Sequence, residues 1–154
     1  MEAWRDARLE DVPAIHRLLR AMAEYERLEY RAAEADHARH LFGPQAAGRA
    51  LVAGEAAVCL YCRTYGSFEG RPALWIEDIF VEPSHRRRGL ARTAFAEVAR
   101  RALSEGCAAV EWKVLDWNAP ALAAYAAMGA ERRKGWIDMC VEGEALSRLA
   151  EGIR

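Results

Sequence analysis

The sequence predicts an α/β fold: a mixed central sheet flanked by helices, in one domain spanning residues 1–154. Three observations predict it. Strand-like and helical stretches interleave along the chain, the pattern of a sheet covered by helices. A chain of 154 residues supports one sizeable core and is short for two. Its composition, 53% apolar and 29% charged, is that of a globular chain rather than a disordered one. No internal repeat, low-complexity segment or linker interrupts it.

"AWRDA" opens as a short strand. In "LEDVPAIHRLLRAMAEYERLEY", Val12, Ile15, Leu18, Leu19 and Met22 recur at three- and four-residue steps, which predicts a helix. Asp11, with Pro13 just behind it, is the expected N-cap. A second helix covers "EADHARHLF" and stops near Gly43 and Pro44. "RALVAG" and "EAAVCLYCRTYGS" read as two strands of a hairpin split by a glycine. "RPALWIEDIFVEP" is the clearest strand, ended by Pro83.

From Arg88 to Glu105 the pattern is a long helix, with Leu90, Phe95, Val98, Ala102 and Leu103 expected inside and Arg92, Glu97, Arg100 and Arg101 outside. Gly106 ends it. "AAVEWKVL" then reads as a strand, and "NAPALAAYAAM" as a short helix capped by Asn118 and stopped at Gly129. "WIDMCV" reads as a last strand and "EALSRLA" as a closing helix.

Several function classes are excluded at this level. A net charge of −1 and a pI near 6.4 give no general attraction to nucleic acid or an anionic membrane. No apolar run approaches the roughly 18 residues of a membrane span, and the acidic start "MEAWRDARLED" is no signal peptide. Four scattered cysteines do not make a disulfide scaffold and suit a reduced, cytoplasmic compartment. Cys59 and Cys62 face opposite sides of a strand and no second pair completes a zinc site, so no metal is expected. His37 and His40 are expected at the surface, and His85 beside the turn described next.

That turn is "EPSHRRRGLA". A strand ending at Pro83, a short polar turn and a helix opening at Gly89 can make an anion site. The first N–H groups of a helix lack internal acceptors and the dipole adds positive charge there. Glycine lets the backbone approach a phosphate closely. Arg86, Arg87 and Arg88 add forked donors. On these residues alone, a solvated arginine cluster is the alternative.

The motifs carry a resemblance. "RRRGLA", with Arg86-x-x-Gly89-x-Ala91, resembles the pyrophosphate-binding Q/R-x-x-G-x-G/A signature of the GNAT superfamily of N-acetyltransferases. "DWNAPALAAYAAMGA" resembles the asparagine–tyrosine region of the same superfamily. "IEDIFV", "AEYERLE" and the "GW" at Gly135 and Trp136 are similar to its diamine (spermidine/spermine) branch.

The resemblance implies a single-domain GNAT fold and acetyl-CoA as co-substrate. It implies pyrophosphate contacts from Arg86, Arg87, Arg88, Gly89, Leu90, Ala91 and Arg92, and a cofactor contact from Asn118. It also implies a pantetheine dock along the backbone of Ile79, Phe80 and Val81. Substrate contacts are implied for Tyr25, Glu26, Glu77, Glu111, Trp112 and Lys113, with a homodimer as the assembly.

The chemistry asks for specific groups. A primary alkylamine has a pKa near 10 and must lose a proton before it attacks a thioester, and the departing thiolate needs one. Glu77, beside Ile76 and Ile79, is the candidate base, and Asp78 is expected on the opposite face of the strand as a structural acid. Tyr125, two helical turns beyond Asn118, is the candidate acid, the role the resemblance also implies.

Lys134 stands where the diamine branch has a glutamate, and Lys113 adds a second cation. Both would repel the far ammonium of a long polyamine. A small amine, a lysine analogue or an amine carrying its own carboxylate is therefore the expected acceptor. A protein or peptide amine, or a non-catalytic acyl-CoA-binding domain, is the alternative.

Overall fold

A computed structural model of the chain describes residues 3–152. Contacts divide the chain into two compact units, Met1–Lys113 and Val114–Arg154. The first unit holds β1 (Arg5–Asp6), α1 (Val12–Glu26), α2 (Glu34–Phe42), β2 (Arg49–Ala53), β3 (Ala57–Gly66), β4 (Arg71–Val81), α3 (Leu90–Ser104) and β5 (Val110–Trp112). The strands form one sheet in the order β1-β2-β3-β4-β5. The first four are antiparallel neighbours and β5 runs parallel to β4. This is the mixed, helix-flanked sheet that the sequence predicts.

Alternation along the strands builds a core on each face. Leu51, Cys59, Tyr61, Leu74 and Ile76 meet Ala94, Val98 and Ala102 of α3. Ala50, Val52, Val58 and Phe80 meet Ile15, Leu18 and Leu19 of α1 on the other face. Leu103, expected inside, is 78% exposed, because the buried stripe runs through Leu90, Ala94, Val98 and Ala102 and Leu103 lies one residue round from its end. Arg101, expected outside, is half-buried and donates to Asp6, Glu97 and the hydroxyl of the buried Tyr61, which ties β1 to α3.

α1 stops at Glu26, four residues before the end of the predicted stretch at Tyr30. Arg27 adopts a left-handed conformation with φ 59°, its N–H bonds Glu24 O, and the N–H of Leu28 bonds Ala23 O. This is a glycine-type helix stop made by an arginine, so the sequence carries no warning of it. Asp11 does not cap α1 with its side chain: its carboxylate accepts from the N–H of Arg8 and from the guanidinium of Arg5 instead.

His37 is not a bare surface residue. Its Nε2 lies 2.6 Å from the hydroxyl of Tyr30, which also lies 3.2 Å from Nδ1 of His16, and the three rings clasp α2 to α1.

The second unit contains α4 (Ala119–Ala127) and α5 (Gly143–Ala150). "WIDMCV", expected as a last strand, pairs with no strand among the described residues and is irregular. Trp136, Ile137 and Met139 are exposed. Among the described residues no helix is long and apolar enough to cross a membrane.

Candidate functional site

The site begins with a fault in β4. Tyr61 of β3 pairs with Ile76, and the preceding Leu60 pairs with Asp78, so Glu77 is the extra residue of a β-bulge. The bulge changes the phase of the strand. Before it, Leu74 and Ile76 enter the core on the α3 side; after it, Ile79 does, and Phe80 enters the α1 side.

Trp75 stands opposite Cys62 and Asp78 opposite Leu60, two residues apart on β3 and so on one face. Glu77 is joined to Trp75 by a 2.7 Å bond from indole Nε1 to Oε2. Strict alternation puts Asp78 on the face away from Glu77. The bulge overturns that expectation and brings both carboxylates to the face covered by α1.

Three acids therefore share a neighbourhood. Burial, reinforced by the charges of Glu77 and Glu26, pushes the Asp78 carboxyl up to about 6. Burial also raises the carboxyl of Glu26, the last residue of α1. Desolvation disfavours both anions, and like charge adds to it at Asp78, the conditions under which an arriving ammonium is attracted. Tyr25 precedes Glu26 and is about half exposed, at 51%.

The parallel register sorts the candidates on β5. Glu111 pairs with Trp75 and lies on the face of Glu77, and the Lys113 ammonium rests 5.7 Å from the centre of the Trp75 ring. Trp112 pairs with Ile76 and turns the other way, packing on Phe95 of α3 with ring centres 4.7 Å apart. A substrate contact for the Trp112 side chain is not available on the acidic face.

Among the described residues, β4 is joined to β5 and the residues before it from Pro72 to Ile76, while β4 continues to Val81. Beyond Ile76 the β5 side of β4 has no strand partner among the described residues. The N–H of Glu82 points to Ala56 O on the β3 side. By alternation Ile79 and Val81 direct their N–H and C=O to the open edge, whereas the backbone of Phe80 faces Val58.

The open edge leads into the arginine turn. Arg87 is left-handed at φ 60°, a rare state for a residue with a Cβ, and Gly89 is left-handed at φ 81° as it opens α3. Among the described residues, the N–H groups of Arg87, Arg88 and Gly89 bond no backbone acceptor, and those of Leu90, Ala91 and Arg92 open the helix. Successive free amides in such a turn are the arrangement of an anion nest. Arg87 and Arg88 are exposed beside it. Arg86 differs: its Nε donates to Val81 O at 3.0 Å and its guanidinium lies against the rings of Tyr25 and Phe80.

Asn118 and Tyr125 belong to the second unit. Asn118 caps α4, its Oδ1 accepting from the N–H of Ala121 at 3.3 Å, and Tyr125 lies in the last turn of the same helix. Cys59 is buried among core residues and its thiol is pushed up to about 12, first by burial; Cys62 lies on the opposite face.

The residues that the structure adds to the candidate site, and that sequence reasoning did not place there, are Asp78 and Trp75. The sequence carries no signal for the bulge: in "LWIEDIFV" three apolar residues stand on each side of the acidic pair, so both alternations fit and only the pairing with β3 reveals the inserted residue.

Comparisons with known proteins converge. The model of the acetyltransferase (GNAT) family matches residues 4–130. A thialysine N-epsilon-acetyltransferase of Bos taurus is 34% identical over 163 residues, covering 95% of each chain. The L-ornithine N5-acetyltransferase NATA1 of Arabidopsis thaliana is 35% identical over 114 residues, covering 74% of this chain and 49% of its own. Among solved structures, an integron cassette protein from V. cholerae superposes with a TM-score of 0.80 at 19% identity, covering 97% of both chains. A possible acetyltransferase from Clostridium difficile 630 gives 0.76 at 20% identity, covering 91% and 97%. The two structures speak to the fold alone.

Proposed function

The chain belongs to the GNAT acetyltransferase family, and we propose that it moves the acetyl group of acetyl-CoA to the primary amine of a small, amino-acid-like molecule. The observation that carries this reading is the bulge at Glu77, which gathers Glu77 and Asp78 on one face with Glu26 close enough to act on Asp78. An acidic cluster of this kind attracts an ammonium and accepts its proton.

The residues present fit the co-substrate. The left-handed pair Arg87 and Gly89 and the amides that follow suit a diphosphate, and the open edge at Ile79 and Val81 suits a chain of amides laid alongside it as an added strand. Bound there, acetyl-CoA supplies the thioester.

The chain's own residues do the rest. Glu77, oriented by Trp75, takes the proton from the amine directly or through water, and Asp78 holds the ammonium beside it. An edge N–H of β4 is the donor for the carbonyl oxygen as charge builds on it. Tyr125 supplies a proton from its Oη, and Asn118 fixes the start of the helix that carries it.

Lys113 and Lys134 favour an acceptor with its own carboxylate, in keeping with the thialysine and ornithine named for the relatives. The family model crosses the boundary between the two units, which supports one acetyltransferase domain over residues 1–154. The resemblance to the diamine branch supports a homodimer, and four free cysteines support a reduced, cytoplasmic setting.

The test is acetyl-CoA consumption across thialysine, ornithine, putrescine, spermine, amino sugars and a lysine-containing peptide. Preference for the first two supports the reading. Exclusive turnover of the peptide, or CoA binding with no turnover of any amine, overturns it.

A further inference from the structure

The three arginines of "RRRGLA" are alike in sequence and unlike in the structure. Arg87 and Arg88 are exposed at the turn, but Arg86 is half-buried and folded back from it. Its guanidinium carbon lies 4.7 Å from the centre of the Tyr25 ring and 5.6 Å from that of Phe80. Its Nε donates to Val81 O at 3.0 Å, and its own N–H donates to Pro83 O. A cation held over two aromatic faces and bonded to a carbonyl is committed to them, since each contact fixes a different part of the planar group.

We propose that Arg86 is a positioning residue of the amine side, not a ligand of the diphosphate. It sets the Tyr25 ring at the end of α1, and it engages one lone pair of the Val81 carbonyl at the end of the open edge of β4, leaving the edge itself free. Its backbone lies one residue before the left-handed Arg87, so whatever fixes the turn also fixes the origin of the side chain that holds Tyr25. Grip on the diphosphate then falls to the amides from Arg87 onward and to the Arg87 and Arg88 side chains. This inference rests on the acetyl-CoA reading above and adds a division of labour that the motif does not contain.

Arg86→Lys keeps the charge and loses the planar stack and the Nε bond. Arg86→Gln loses the charge as well. Affinities for CoA and for pantetheine, which lacks the diphosphate, are measured by calorimetry, and KM for thialysine in steady state. The expected result is a KM for thialysine raised about tenfold in both variants, with the ratio of CoA to pantetheine affinity unchanged within about threefold. Tyr25→Leu, made from the exposed partner, raises the same KM, and the double variant adds less than about twofold to it.

A collapse of the CoA-to-pantetheine ratio in Arg86→Gln overturns the proposal, as does full additivity with Tyr25→Leu. If the wild type does not acetylate thialysine, the affinity ratio decides alone. A wild type that binds CoA no better than pantetheine overturns the acetyl-CoA reading itself, and this inference with it.

Discussion

Trp75 and Glu77 are joined by a 2.7 Å hydrogen bond, from the indole Nε1 to Oε2, across the bulge of β4. A bulged carboxylate would otherwise choose among several rotamers. The indole leaves one oxygen engaged and directs the other. The ring also carries the Lys113 ammonium on its face, so a single side chain orients an anion and a cation.

Trp75→Phe removes the donor and keeps most of the ring. The expected outcome is a fall of about tenfold in kcat/KM, equivalent to about 1.4 kcal/mol of transition-state stabilisation. Glu77→Gln is expected to fall further, and Trp75→Phe made on top of it is expected to cost little more. Steady-state kinetics on the four proteins decide it; equal, additive losses would show that the bond does not orient the base.

Asp78 predicts a pH dependence of stability with a definite sign. Its folded carboxyl is pushed up to about 6 from 3.8, first by burial and then by Glu77 and Glu26. Between those values the folded protein holds a proton that the unfolded chain has released, so stability falls as pH rises through the window. Above pH 6 the cost approaches about 3 kcal/mol. Asp78→Asn removes that cost. It is expected to be more stable than the wild type at pH 8 and no more stable at pH 4, by denaturant midpoints, while losing turnover. A variant equally or less stable than the wild type at pH 8 would contradict the buried, crowded carboxyl.

Most of the elements were legible because their signals are local. α2 occupies the nine residues read from the periodicity, Glu34–Phe42, and Asn118 and Gly129 mark the ends of α4. What escaped depends on contacts between distant segments. The bulge exists only against β3, and Arg27 stops α1 without a glycine. Arg86 finds Tyr25 sixty-one positions away in sequence. "WIDMCV" failed in the opposite sense: a short apolar run suits a strand, but a ladder needs a neighbour. In the site, the turn at Gly89 was readable from spacing, whereas the shared face of Glu77 and Asp78 was not.

Tyr125 sits in the last turn of α4. Replacement by Phe keeps the ring and removes only the phenolic hydroxyl, so folding should change by about 1 kcal/mol at most. As the proton donor, Tyr125 should cost kcat about a hundredfold, while CoA affinity stays within about twofold. Calorimetry with CoA beside steady-state turnover separates the two. Retained turnover would remove Tyr125 from the chemistry; lost CoA affinity would make it a binding residue instead.

Gly89 and Arg87 test the turn from opposite sides. A Cβ built on Gly89 meets no atom within 4 Å, so Gly89→Ala is opposed by conformation rather than by a clash, with φ at +81°. That costs about 1–2 kcal/mol of stability. If the amides from Arg87 to Arg92 hold a diphosphate, the distortion must also reach the ligand, and CoA affinity should fall at least tenfold while pantetheine affinity does not. Arg87→Gly is the reverse case. It relieves the left-handed strain at φ 60° and should stabilise the fold by up to about 1 kcal/mol, yet weaken CoA by losing a charge, with an effect that shrinks at high salt. Thermal melts and calorimetry on both variants check the pair. A Gly89→Ala protein that binds CoA like the wild type would mean that the left-handed turn is structural and that the diphosphate is held elsewhere.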